Sequence, residues 1–100
     1  MPDIAAMPRA EQTVVLTNRM GLHARPSTQI ATACSRFRSD VSIAKDDMTV
    51  DAKSVLELLM LAAECGSELT ISAEGDDAAV AVKAIAALVE SRFGELDVDA

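Results

Sequence analysis

One short run concentrates the groups that could do chemistry: Gly21-Leu22-His23-Ala24-Arg25-Pro26. His23 is the single histidine of the chain. A neutral imidazole is a competent nucleophile near pH 7. Arg25, two residues on, offers a guanidinium that can hold an anion through several N–H groups. Pro26 has no N–H to lose and is tolerated in the first turn of a helix, so it predicts a helix starting at or near His23. A helix N-terminus gathers unpaired N–H groups and the positive end of the dipole, which together make an anion site. Gly21 frees the backbone just ahead of it. The run thus predicts a nucleophilic imidazole beside a place prepared for a phosphate, with the positive helix end favouring the neutral, attacking form. Attack on a phosphoryl donor would give a phosphoimidazole, steadied by the helix end and Arg25. A carrier of this kind must also release its group, so the site should be shallow and open to solvent. Transfer of this type depends mainly on positioning and charge stabilisation. A lone histidine at a helix start is more often a cap or a surface residue, so the chemical reading needs support from the rest of the chain.

The elements that must position this run can be read from hydrophobic period and turn chemistry. Gln12 to Leu16 is a short β-rich stretch, followed by a loop through Leu22. His23 to Phe37 reads as a helix with Ile30, Cys34 and Phe37 on one face, Ala33 beside them, and Arg36 and Arg38 in the last turn. Val41 to Lys45 alternates as a strand. Asp46-Asp47 turns the chain, and Met48 to Val50 returns. Ser54-Val55-Leu56-Glu57 has the S-x-x-E form of a capping box opening a short apolar helix, with Gly66 placed to end it. Leu69 to Ala73 alternates as a fourth strand. Gly75-Asp76-Asp77 supplies a turn and an N-cap, and Ala78 to Phe93 is a long helix with Val82, Ile85, Val89 and Phe93 on one face. The order is β-α-β-β-α-β-α. Its economical packing is an α+β domain, an antiparallel or mixed four-stranded sheet with helices on one face.

Ser54 is a good N-cap in its own right, worth on the order of 1 kcal/mol over Ala. The helix it opens is apolar nearly all round, which fits either deep burial or an exposed docking patch.

Composition narrows the function classes. One hundred residues make one domain, with residues 1–10 expected as a mobile leader and 11–97 as the folded unit. The formal net charge of −7 and the absence of Trp and Tyr argue against nucleic-acid binding. Cys34 and Cys65 match no metal spacing, and with one histidine neither a metal site nor another cofactor is expected. Two sparse thiols, no signal-peptide pattern and no apolar run near 20 residues lead to the expectation of a cytoplasmic protein.

The run LTNRMGLHARPS closely resembles the active-site signature of HPr, the histidine-containing phosphocarrier family of the phosphoenolpyruvate-dependent sugar phosphotransferase system. DAKSVLELLMLAAECGSEL resembles the family's second segment, and the likeness in element order covers roughly residues 11–97. The resemblance implies an open-faced sandwich, with a four-stranded antiparallel sheet and three helices on one face. It implies a phosphoryl relay rather than an enzyme with its own turnover. His23 matches the acceptor, phosphorylated in the family on Nδ1, and Arg25 the arginine that steadies the group. Ala24 would lend a backbone N–H, and Asn18 matches a supporting asparagine. Ser54 matches a serine that an ATP-dependent HPr kinase/phosphorylase modifies in many bacteria. Val55, Leu56 and Leu59 fall on the docking surface. The implied partners are enzyme I as donor and enzyme II A-type domains as recipients, with the carrier acting as a monomer. Ser27 stands where the family usually has Ala, and Glu57 adds an acid beside Ser54. A nitrogen-related or purely regulatory branch keeps the same chemistry and is not separated from sugar transport by the residues. A binding module without chemistry would be favoured by loss of the histidine, which is present here.

Overall fold

The computed structural model describes residues 8–95. Four strands form one sheet: β1 (Arg9–Val15), β2 (Asp40–Lys45), β3 (Met48–Asp51) and β4 (Glu68–Glu74). Their spatial order is β1-β4-β2-β3, with every neighbouring pair antiparallel. β4 is inserted between β1 and β2, so β1 and β2 run parallel and the chain crosses over between them. The three helices are α1 (Ala24–Cys34), α2 (Val55–Met60) and α3 (Ala78–Glu90).

Alternation in the strands explains why the sheet has one covered face. Val14, Val41, Ile43, Val50, Leu69, Ile71 and Ala73 are buried, while their sequence neighbours are exposed or half-buried. Against them pack Ile30, Ala31 and Cys34 of α1, Leu58 of α2, and Ala81, Val82, Ile85 and Val89 of α3. Small residues on α3 let it lie close to β1 and β4. The opposite face carries Glu11, Thr13, Thr70 and Ser72, with Thr13 and Thr70 hydrogen-bonded across the β1–β4 pair. The architecture is therefore an α+β open-faced sandwich in the order β-α-β-β-α-β-α.

Several element ends differ from the sequence expectation, each for a local reason. β1 begins at Arg9, so Arg9 and Ala10, expected in the leader, pair with Glu74 and Ala73; residues 1–7 and 96–97 lie outside the described residues. α1 stops at Cys34, not Phe37. The next amides bond to nearer carbonyls, Arg36 to Ala33 and Phe37 to Cys34, and those of Arg38 and Ser39 bond to the Asp77 carboxylate. Arg36 and Arg38 therefore lie beyond the helix's last turn. α2 ends at Met60, and Ala62, with φ 48°, makes the left-handed reversal expected of Gly66. Gly66 instead donates its N–H to Leu16. Asp77 is positioned before α3 but its side chain makes no capping bond there, being used by Arg38 and Ser39. α3 ends at Glu90, and Phe93 reaches the core from a short 3-10 turn, Arg92–Gly94. The β2–β3 hairpin turns on Asp46-Asp47, Asp46 taking the positive φ (55°) that glycine would usually supply.

Candidate functional site

His23 is the N-cap of α1, with extended backbone (φ −82°, ψ −170°), and its carbonyl accepts the first helical bond from Ser27 N–H. The amides of Ala24 and Arg25 precede that bond and have no intrahelical acceptor. Pro26 is the third helical residue, where a missing N–H costs nothing. Ala24 and Arg25 are exposed, and the His23 side chain keeps 35% of its surface open. The sequence therefore delivers an accessible imidazole and a guanidinium to the positive end of an 11-residue helix.

The preceding loop is fixed from two sides. Gly21 has φ +66°, and a Cβ there would lie 2.3 Å from the Ala63 carbonyl oxygen, so only glycine fits. Leu22 N–H donates to that same carbonyl at 2.9 Å, tying the loop to the segment after α2. Asn18 is fully buried, and its amide nitrogen donates to Gly21 O at 2.8 Å. Its Oδ1 is buried with no hydrogen-bond partner among the described residues. Ser27 is also buried, with Oγ 3.5 Å from Leu22 O, at the limit of a hydrogen bond.

Sequence reasoning missed Glu95. Its Oε2 lies 2.7 Å from His23 Nε2, and its Oε1 accepts from Asn18 Nδ2 at 3.1 Å. The Glu95 side chain is only 12% exposed. The backbone brings it there through positive φ at Arg92 (58°), Phe93 (57°) and Gly94 (72°), which reverses the chain after α3. Burial of Phe93 and a bond from Gln29 Nε2 to Phe93 O hold this turn against α1. Each non-glycine residue at positive φ costs roughly 1–2 kcal/mol, which burying one Phe offsets in part. No local pattern links positions 23 and 95. The only cue in the sequence was a glycine followed by an acid just after the last helix.

Ser54 belongs to a different neighbourhood. It caps α2, its Oγ accepting from Glu57 N–H at 3.2 Å. Only half of the expected capping box forms, because Glu57 Oε1 accepts from Asp51 N–H instead of Ser54 N–H. Lys53, beside Ser54, reaches Phe37 O just past the C-terminus of α1. His23 opens that helix, which is about 16 Å long at 1.5 Å per residue. The structure therefore groups His23, Asn18, Ala24 and Arg25 at one end of α1 and sets Ser54 near the other.

Around α2 the apolar residues divide. Leu58 and Leu61 are buried and Val55 is half-buried against the core. Leu56 (76%), Met60 (65%) and Leu59 (38%) are exposed, as is Met20 (68%) in the loop before His23. This is more exposed apolar surface than a six-residue helix needs. Cys34 is buried, and burial pushes its thiol up to about 11. No helix among the described residues is long and apolar enough to cross a membrane.

The chain is similar to known proteins in sequence and in fold. Residues 10–91 match the family model described as the PTS HPr component phosphorylation site. The phosphocarrier protein HPr of Treponema pallidum is 43% identical over 84 residues, covering 84% of this chain and 96% of that protein. The phosphocarrier protein NPr of Shewanella violacea is 39% identical over 89 residues, covering 89% and 98%. Among solved structures, HPr-C-His from Thermoanaerobacter tengcongensis superposes with a TM-score of 0.84 at 40% identity, covering 87% of this chain and 98% of that one.

Proposed function

The chain belongs to the HPr family of phosphocarrier proteins, and from that premise we propose that His23 accepts a phosphoryl group from phosphorylated enzyme I and passes it to enzyme II A-type domains. The observation that carries this reading is the placement of His23. It is an accessible imidazole at the N-cap of α1, with the Ala24 and Arg25 amides and the Arg25 guanidinium following it. A phosphoryl group on the ring would meet those amides, the positive end of the helix dipole and the arginine. The site is open, so the group is held by charge and not enclosed. That suits a relay whose turnover is supplied by its partners.

In the same reading, Asn18 supports the loop, and Val55, Leu56 and Leu59 form the surface on which partners dock. Ser54 is the regulatory position. A phosphate there would suit the N-terminus of α2 while adding charge beside the exposed Leu56. Glu57, whose amide is bonded to Ser54 Oγ, places a like charge near the incoming group. The carrier is proposed to work as a cytoplasmic monomer, with one face free for successive partners. Residues 11–97 are proposed as the phosphocarrier unit, extended in the described residues by two strand positions at Arg9 and Ala10.

A nitrogen-branch or regulatory role is the second reading, favoured by the NPr relative, which matches nearly as well as the HPr relatives. Incubation with phosphoenolpyruvate and enzyme I of either branch tests both. Label on wild type and none on His23→Ala is expected. The branch whose enzyme I labels faster, and whose A-type domain then strips the label, is the one served. Failure of both competent enzymes to label wild type would contradict the proposal.

A further inference from the structure

We infer that Glu95 is a positioning residue for phosphoryl transfer, fixing the His23 ring with its proton on Nε2 so that the lone pair lies on Nδ1; this rests on His23 being the phosphoryl acceptor. The geometry carries the argument. Glu95 Oε1 accepts a hydrogen bond from Asn18 Nδ2, and a carboxylate is an acceptor at both oxygens. The 2.7 Å contact of Oε2 with Nε2 is then a hydrogen bond donated by the ring. A neutral imidazole has one N–H, so donation from Nε2 leaves Nδ1 as the nucleophilic nitrogen. Asn18 is fully buried and anchored to Gly21 O, so it holds the carboxylate against the loop that carries the histidine. With the carboxylate largely shielded from water, its charge acts on the ring with little screening.

The same contact serves the chemical step in both directions. In the forward step the Nδ1 lone pair forms the N–P bond while phosphorus breaks from the donor atom, which keeps the electron pair. The ring becomes a phosphoimidazolium with its proton still on Nε2, and the positive charge faces Glu95. In the onward step a recipient nucleophile attacks phosphorus, and the N–P electron pair returns to Nδ1. The ring is again neutral with Nε2–H. No proton need enter or leave in either direction, and the protonated ring is the better leaving group. Glu95 thus stabilises the charge that develops on the ring, while Arg25 and the helix end hold the phosphoryl oxygens.

The test uses the full chain with ring nitrogens labelled in His23, comparing wild type, Glu95→Gln and Glu95→Ala. Wild type should show the neutral ring almost wholly as the Nε2–H form. Glu95→Gln offers a single oxygen to two donors, Asn18 Nδ2 and His23 Nε2, and should hold that form less completely than wild type. Glu95→Ala should relax to a mixture. In single-turnover transfer from phosphorylated enzyme I, both variants should slow about tenfold at saturating donor, with the donor KM unchanged. A tenfold slowing corresponds to about 1.4 kcal/mol of lost transition-state stabilisation. An unchanged ring spectrum and an unchanged rate in Glu95→Ala would overturn the inference alone. A wild type that accepts no phosphoryl group would overturn the reading of His23 itself, and the inference with it.

Discussion

Asn18 is fully buried and spends its amide nitrogen on two acceptors, the Gly21 carbonyl and the Glu95 carboxylate. This double use makes its chemistry harder to replace than its size. Asn18→Asp would set a buried anion against Glu95 and against a carbonyl oxygen, with both hydrogen bonds lost. Urea denaturation should show it destabilised by about 2–4 kcal/mol, more than Asn18→Ala. Equal losses for the two variants would mean that the donor role is not what matters. The placement of His23 and Arg25 at the start of α1 was legible in the sequence, because Gly21 and Pro26 mark by local rules alone where the helix begins. Glu95 was not legible. Its contact with His23 spans 72 positions and depends on three successive positive-φ residues, two of which are not glycine.

Among the elements, the two long helices illustrate how tertiary bonds override local signals. The sequence pattern of α1 runs on to Phe37, yet Asp77 draws the amides of Arg38 and Ser39 away from any helical register. Asp77 thereby joins the end of α1 to the start of α3. The Ser39 hydroxyl, followed by the Arg38 amide, lowers its carboxyl from 3.8 to about 2. The folded value lies below the unfolded one, so this contribution is fully present above about pH 4 and is lost as pH falls toward 2. Wild type should lose stability across that window by this route, and Asp77→Asn should lack that part of the slope in acid titrations followed by circular dichroism. Parallel curves for the two proteins would remove Asp77 from the account. α2 repeats the lesson at its far end. Gly66 was the expected stop, but Ala62 reverses the chain, and the Ala63 carbonyl is committed to Leu22.

For the molecule as a whole, period and turn chemistry specified the order of elements and the one-faced sheet, because each strand carries its own alternation of buried and exposed residues. Strand order was not accessible in the same way. Placing β4 between β1 and β2 depends on which strands pair, and no turn residue encodes that. α2 divides its apolar residues, burying Leu58 while leaving Leu56 and Met60 exposed. Leu56→Ala should therefore leave folding stability within about 0.5 kcal/mol of wild type. It should nevertheless raise the KM of enzyme I for the carrier, and Ser54→Asp should do the same. A docking role for α2 would be contradicted by unchanged transfer kinetics in both. The central claim is that one imidazole carries the phosphoryl group, and the stability of the label tests it most directly. After reaction with phosphoenolpyruvate and enzyme I, the intact protein should carry one phosphate that is lost in acid, kept in alkali and mapped to His23. An acid-stable phosphate, or the same labile phosphate on His23→Ala, would contradict it.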